Sequence, residues 1–332
     1  MHGEVMKPTS GEERLCLSEK ATALTISVMV PTYRRPSDLR RCLRALGEQS
    51  VPADDVIVAV RDSDTETWEF LGARDPSELA IRTVTVSEPG LVYAMNAGLA
   101  TVTTEILAIT DDDAAPRRDW IERMLTTFAQ SAEIGGVGGR DFMYRNGVLQ
   151  SGRAKIVGKV PAIGRHEGNH HLGYGAAREV DILKGVNNAY RLAALKPIGF
   201  DTRLRGSGAQ IYWELGLGLA LRRAGWKLIY DPNILVDHYL AQRFDEDQRE
   251  GFNALALENA AYNDGLLRME KLSQPLRVVY LAWAFLIGTR FLPGLVQVVR
   301  FFPRQRTLVV SKMIAGIRGR LAAWKDILGN VR

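Results

Sequence analysis

Three consecutive carboxylates, Asp111, Asp112 and Asp113, close an apolar run that begins at Glu105 (EILAITDDD). Adjacent carboxylates repel one another, so a fold that gathers them at a strand end offsets them with a cation or with hydrogen-bond donors. A divalent ion bound to a diphosphate suits that pattern. The plainer alternative is an acidic loop that caps a helix over residues 117–131. Much later, Glu214 stands near the start of an amphipathic segment, YWELGLGLALRRAG. Its neighbours Trp213 and Leu215 would raise its pKa toward that of a useful general base, although an acid early in a helix also complements the macrodipole. His238 follows a short apolar strand, ILVDHYL; an imidazole can ligate a metal, but a lone histidine usually does not. His166, His170 and His171 lie in GRHEGNHHLGYG, whose glycines favour a solvated surface, or a loop that orders on substrate binding, over metal ligation.

These groups need elements to position them. ALTISVMVPTY (23–33), DDVIVAV (54–60), IRTVTV (81–86) and EILAIT (105–110) read as four strands. Between the first two, Ser37 and Asp38 open a helical pattern with Leu39, Cys42, Leu43 and Leu46 on one side. LVYAMNAGLATV (91–102) reads as a further helix. Strand, helix, strand at this spacing is a βαβ unit, which predicts a parallel sheet with a right-handed crossover. Ligands of such sheets sit outside the carboxyl ends of the strands, so the polar endings after Tyr33, Val60 and Thr110 should meet on one edge. The stretch from Gly135 to Gly175 is expected to be glycine-rich and irregular. No Gly-x-Gly-x-x-Gly and no Gly-x-x-x-x-Gly-Lys-Ser/Thr follows any strand, which removes the usual support for dinucleotide oxidoreductases and phosphate-loop NTPases.

Composition bounds the remainder. A chain of 332 residues, 46% hydrophobic and 24% charged, suits one large globular domain or two smaller ones. Cys16 and Cys42 are too few for a disulfide framework or a thiolate metal site, and a reducing cytoplasm fits. Residues 1–24 mix charges without an uninterrupted apolar core, which reads as a loose leader rather than a signal peptide. The net charge of +5 is uneven: the chain beyond Pro275 carries about +9, leaving about −4 before it. Residues 246–272 look helical. VVYLAWAFLIGT (278–289) is too short to span a bilayer, which needs about 20 helical residues. Arginines bracket it and the apolar run that follows, which fits an in-plane anchor drawn to anionic lipid by about 1 kcal/mol per basic group. Core packing and a dimer interface are the alternatives. No nucleic-acid module signature accompanies the basic charge.

Taken in order, VMVPTYRRPSDLRRCL, VIVAVRDSDTET, GLVYAMNAGLATVTTEILAITDDDA, DILKGVNNAYRLAALKPIGFD and YWELGLGLALRRAGWKLIYDP resemble the motifs of family 2 glycosyltransferases with the GT-A fold, over residues 25–245. The resemblance implies an α/β fold: a Rossmann-like, mostly parallel sheet flanked by helices. Residues 25–115 would form the nucleotide-sugar half and 116–245 the acceptor half, with 246–332 a helical basic extension. It places Pro31, Thr32, Tyr33, Arg35, Asp62, Asn96, Asp111 and Asp112 on the nucleotide-sugar side. Asp111 would touch the ribose or base, and Asp112 would serve mainly as a spacer. Asp113 and His238 would hold Mn2+ or Mg2+, and Glu214 would be the catalytic base. Gly185, Asn187, Asn188 and Trp213 would face the acceptor, with Arg191 another polar member of that segment. Two departures stand out. Arg61 replaces the first of two acidic residues, leaving Asp62 alone for the base-side contact, and Met95 stands where a basic residue is common.

The implied activity is inverting transfer from a nucleotide diphosphate sugar, expected to be a UDP-sugar, to a hydroxyl of a glycan or lipid-linked acceptor. Cell-surface polysaccharide or glycolipid synthesis at the inner face of the cell membrane would be its setting. A nucleotidyltransferase that makes sugar nucleotides is a rival of the same fold class, but it would carry a glycine-rich loop after the first strand, and PTYRRPSD has no glycine. A noncatalytic nucleotide-sugar or membrane-binding module is the other rival.

Overall fold

The computed structural model describes residues 24–75, 79–161, 166–246 and 251–329. The expected leader, apart from Leu24, lies outside the described residues. Strand β1 (Ile26–Thr32) is buried along its whole length and alternates between two cores. Ile26, Val28 and Val30 face one; Met29 faces the other. That period-two split is what a strand covered on both faces requires. Helix α1 (Pro36–Gly47) starts on a proline and buries Leu39, Cys42, Leu43 and Leu46, as its spacing predicts. Fully burying each leucine contributes about 1.5–3 kcal/mol.

β2 (Asp55–Arg61), α2 (Thr65–Gly72), β3 (Arg82–Val86), α3 (Leu91–Leu99) and β4 (Ile106–Ile109) follow. β1 pairs in parallel with β2 and β4, and β2 in parallel with β3, which is the predicted parallel half-sheet. After β4 come β5 (Ala114–Pro116), α4 (Trp120–Ala129), β6 (Ile134–Arg145) and β7 (Val148–Leu149). Next are β8 (Arg178–Val180), β9 (Asn188–Arg191), α5 (Leu192–Leu195), α6 (Trp213–Arg223) and β10 (Lys227–Tyr239). Among the described residues the main sheet runs β3-β2-β1-β4-β9-β6-β10-β5, with β7 beside β6 and β8 beside β10. β9 is antiparallel to both β4 and β6, while β6 and β10 are parallel, so the sheet is mostly parallel. Helices α1 and α4 cover one face; α3 and α6 cover the other.

One expectation is corrected. The stretch after Gly135 is not irregular at its start: residues 134–145 form a central strand. Its glycines are there for close packing rather than for a loop. A Cβ on Gly136 would lie 2.7 Å from the Leu228 side chain, and one on Gly138 would lie 2.7 Å from the Asn187 carbonyl oxygen. His170 is likewise not on a solvated surface. It is buried, its Nε2 is 3.0 Å from the Ile182 carbonyl oxygen, and burial pushes its pKa down to about 4. Gly164 and Arg165 of that stretch lie outside the described residues.

The C-terminal region forms α7 (Ala254–Met269), α8 (Gln274–Leu286), α9 (Leu295–Gln305) and α10 (Thr307–Gly329). Leu267 of α7 joins the second core, so this region packs on the sheet domain. Among the described residues no helix is long and apolar enough to cross a membrane.

Candidate active site

The carboxyl ends of β1, β2 and β4, the start of α3 and residues 242–245 after β10 line a cleft. Pro31, Thr32, Tyr33, Arg35 and Asp111 line it. The endings after Tyr33, Val60 and Thr110 meet at one edge, as expected of strand carboxyl ends, while the individual residues are those the family resemblance implies. α3 begins at Gly90 with φ +130°, a conformation that favours glycine, and a Cβ there would collide with Gln210. Gln210 Oε1 in turn accepts from the Val92 amide (2.8 Å), supplying the N-terminal bond that a glycine cap lacks.

Arg61 lines this cleft and Asp62 does not. The Arg61 guanidinium is 3.9 Å from the Tyr33 ring centroid, pairs with Asp245 at 3.3 Å and donates to the Ser207 carbonyl (3.1 Å). Phe244 meets Tyr33 edge-on at 6.5 Å. The residue that departs from the family pattern therefore ties three segments together around the cleft. Asp62 is exposed, and its backbone amide donates to Val86. The buried acid of that turn is Asp64, which accepts from the Thr67 and Arg34 amides and caps α2. Asn96 is also outside the lining. Its Oδ1 accepts from the Phe200 amide (3.0 Å) and its Nδ2 donates to the Phe200 carbonyl (2.8 Å), a staple between α3 and the following loop.

Asp112 and Asp113 share Arg35, at 2.7 and 3.4 Å, and otherwise have different partners. Asp112 is fully buried; Thr32 Oγ1 donates to its Oδ2 (2.7 Å), and Arg35 Nη2 is 2.7 Å from its Oδ1. Burial pushes its pKa up to about 7 against the opposing pull of Arg35. Asp113 accepts from the Ala241 amide (3.0 Å), and its carbonyl accepts from the Tyr239 amide (2.8 Å). The antiparallel pairing of β5 with β10 sets His238 opposite Ala114, which brings His238 Nε2 to 3.3 Å from Asp113 Oδ1. Among the described residues, Asp111, Asp113 and His238 form a group whose ligand atoms all lie within 4.8 Å of one another. Burial and Asp113 raise the Asp111 pKa, with His238, Arg35 and Arg243 opposing.

Asp141 on β6 stands behind His238, with Oδ2 3.3 Å from Nδ1, and it also pairs with Lys184. Burial works against its charge, but Lys184 and His238 win and hold its carboxyl below the ordinary range. His238 is buried too, yet Asp113 and Asp141 raise its pKa. Neither Asp141 nor Lys184 was flagged at the sequence level. The signal for Asp141 was available: an acid in a strand-like stretch that is apolar and aromatic apart from Arg140, GGRDFMY, is costly to bury unless paired.

The structure fits a cation at this cluster. Both His238 nitrogens face carboxylates at 3.3 Å: the buried Nε2 points toward Asp113 Oδ1 but makes no hydrogen bond of good geometry among the described residues, while Nδ1 faces Asp141 Oδ2. That is how a second carboxylate commonly orients a metal-binding imidazole.

Glu214 lies in the first turn of α6, after Tyr212 in a left-handed conformation (φ +81°). Its Oε1 accepts from the Gly185 amide (3.3 Å). Burial raises its pKa, and the Asp111 charge adds to the rise. Gly185 is required for this approach: a Cβ would meet Trp213 at 2.8 Å and Glu214 Oε1 at 3.1 Å. Trp213 packs edge-on against Phe200 at 5.6 Å. Asn187 is a structural hub. Its Oδ1 accepts from Trp120 Nε1 (2.8 Å), and its Nδ2 donates to the Arg140 and Ile234 carbonyls. Asn188 Nδ2 holds the Lys184 and Gly185 carbonyls, and Arg191 donates to the carbonyls of Phe128 and Ile134. Of the expected acceptor-side residues, Gly185 and Trp213 are the ones that touch Glu214.

A strand-end cleft with an acidic and histidine cluster at its edge, on a mostly parallel sheet, defines a GT-A type domain. The chain belongs to the family described as glycosyltransferase like family 2, whose model matches residues 23–254. It is 30% identical over 129 residues to the glycosyltransferase AglE of Haloferax volcanii, covering 37% of this chain and 41% of that protein. It is 27% identical over 224 residues to the pre-mycofactocin glycosyltransferase of Mycobacterium tuberculosis, covering 64% and 42%. The chain thus spans less than half the length of these curated relatives. Its fold is similar to that of the mannosyltransferase PcManGT from Pyrobaculum calidifontis, solved with GDP-Man and Mn2+, with a TM-score of 0.54, 16% identity and 94% of each chain covered.

Proposed function

We propose that this protein is a metal-dependent inverting glycosyltransferase that moves a sugar from a nucleoside diphosphate sugar to an acceptor hydroxyl. The observation that carries the proposal is the cluster of Asp113 and His238 with Asp111, which lines the donor cleft, with Glu214 within electrostatic reach of Asp111. Tyr33, Arg61 and Phe244 offer the nucleobase flat surfaces, while Arg35 and Arg243 put positive charge along the cleft for phosphates. Asp113 and His238, joined by Asp111, would hold a divalent cation. Carboxylate oxygens suit Mg2+ and Mn2+, and the imidazole moves the preference toward Mn2+. When bound, the cation supplies positive charge to the leaving diphosphate. With its proton on Nδ1 and donated to Asp141, His238 keeps the Nε2 lone pair for that ion. Asp112 braces Arg35 and the end of β1 rather than touching the nucleotide.

Glu214 takes the proton from the acceptor hydroxyl as that oxygen bonds to the anomeric carbon, and the bond to the diphosphate oxygen breaks on the opposite face. A single base on the acceptor side suits one displacement with inversion. The exposed apolar residues of α8 and α9, among them Val278, Phe285, Val296 and Val299, support an in-plane association with anionic membrane, beside which a glycan or lipid-linked acceptor would be used.

A panel of UDP- and GDP-sugars with Mn2+ tests the function by release of nucleoside diphosphate. Release that depends on the metal and on one donor is expected; no release from any donor, or release indifferent to chelator, would sink the proposal. Asp141→Asn is expected to weaken Mn2+ binding about 10- to 100-fold by calorimetry, since it removes the charge that orients His238.

A further inference from the structure

A second cavity lies between residues 166–171 and the C-terminal helices. Among the described residues its wall carries Arg145, Arg268, Arg290, Lys312 and Arg320 against one carboxylate, that of Asp264. Two of these cations are deep: Arg268 is 5% exposed and Arg320 3%. Asp264 cannot serve both in full. Its Oδ1 accepts from Arg268 Nε (2.7 Å), and its Oδ2 accepts from the Tyr280 hydroxyl (2.8 Å). Arg320 Nε is buried with no hydrogen-bond partner among the described residues. A guanidinium taken out of water and left incompletely paired is costly, and an anion in the cavity would remove that cost.

The place of the cavity says which anion matters. Tyr212, in its wall, immediately precedes Trp213 and Glu214 in the chain. His171, also in the wall, feels the charges of Asp141 and His238. The cavity therefore adjoins the acceptor side of the proposed centre and is separate from the donor cleft, with which it shares no lining residue. At its outer end Arg290 also borders a surface pocket that holds Arg300 and Arg304, next to the exposed apolar side chains of Phe291 and Val296.

We propose that this cavity seats the phosphate or diphosphate group of the acceptor, so that the protein glycosylates a phosphorylated compound. The proposal rests on the transfer reading above for the word acceptor, but not for the anion site itself. The phosphate can come from an ester with a long apolar chain or from a soluble phosphate ester. The recognition chemistry is the same, and the neighbouring apolar surface is available to the chain of the first.

The test is calorimetric titration of the full chain, in chelator, with inorganic pyrophosphate, methyl phosphate and dodecyl phosphate below its micelle concentration. The double variant Arg290→Ala/Lys312→Ala and the single variant Arg320→Gln are expected to bind pyrophosphate about tenfold or more weakly than the native chain. Arg290 and Lys312 are less buried than Arg320, so the double variant reports even where Arg320→Gln fails to fold. Dodecyl phosphate binding more tightly than methyl phosphate supports the site with a chain-bearing acceptor, and equal binding supports it with a soluble one. Native-like pyrophosphate binding by the double variant, or no binding by the native chain, would overturn the proposal. Glu214→Gln separates the two readings: it ends transfer if the catalytic assignment holds, and pyrophosphate binding in this cavity does not depend on it.

Discussion

Glu214→Gln is expected to lower sugar transfer about 10²- to 10⁴-fold while leaving the fold and donor binding in place. The substitution keeps size and a hydrogen-bond acceptor for the Gly185 amide, and removes only the ability to take a proton. A stability loss would therefore not account for the effect, which a thermal melt beside the rate measurement checks. The sign of the pH dependence follows from the same side chain. A base works when ionised, and burial raises the Glu214 pKa above the ordinary glutamate value. Transfer should rise with pH through that raised pKa and be lost as pH falls below it. The acid limb of kcat/KM should therefore lie above the usual carboxylate range, and the variant should lack it. Transfer at the native rate by Glu214→Gln would reject the assignment.

Asp113→Ala should be of comparable severity for a different reason. It removes one member of the ligand group while leaving Asp112 to hold Thr32 and Arg35. The loss of a preorganised charge site for the leaving diphosphate is expected to cost about 10²- to 10³-fold in rate. Mn2+ titration should show weakened or absent binding. Asp112→Asn offers the contrast: its hydrogen bonds to β1 are structural, so it should shift the melting temperature more than the Mn2+ affinity. Full metal-dependent donor binding by Asp113→Ala would remove it from the ligand set.

Much of the donor side was legible in the sequence because its signals are local. The runs of β-branched and apolar residues in ISVMVPT and ILAI, the helical pattern opened by Ser37 and Asp38 with leucines three and four residues apart, and three acids after a strand all act within a few residues. They place the endings after Tyr33, Val60 and Thr110 on one edge without knowledge of any distant contact, and the family resemblance adds Pro31, Thr32, Arg35 and Asp111, which line the cleft there. The glycine-rich stretch after residue 134 misled because glycine usually punctuates a chain. Here the spacing between β6, β9 and β10 leaves no room for side chains, and only assembled neighbours reveal that.

The roles within the polar groups were decided by tertiary structure. Asp112 and Asp113 are adjacent in the chain, but successive side chains diverge, and one meets Thr32 while the other meets β10. The family resemblance sets Asn96 and Asn187 among the binding residues, yet Asn96 spends its hydrogen bonds on the Phe200 backbone and Asn187 on the Trp120 side chain and the Arg140 and Ile234 carbonyls. Asp141 and Lys184 gained meaning only when β6 and the turn before β9 came together. By itself the sequence determined the parallel half-sheet and the edge at which a donor would bind, since periodicity and caps are short-range properties. Only the tertiary structure decided which carboxylate faces His238, which one braces Arg35, and where the buried arginines of the C-terminal helices gather, because charge pairing depends on the burial and register of residues far apart in the chain.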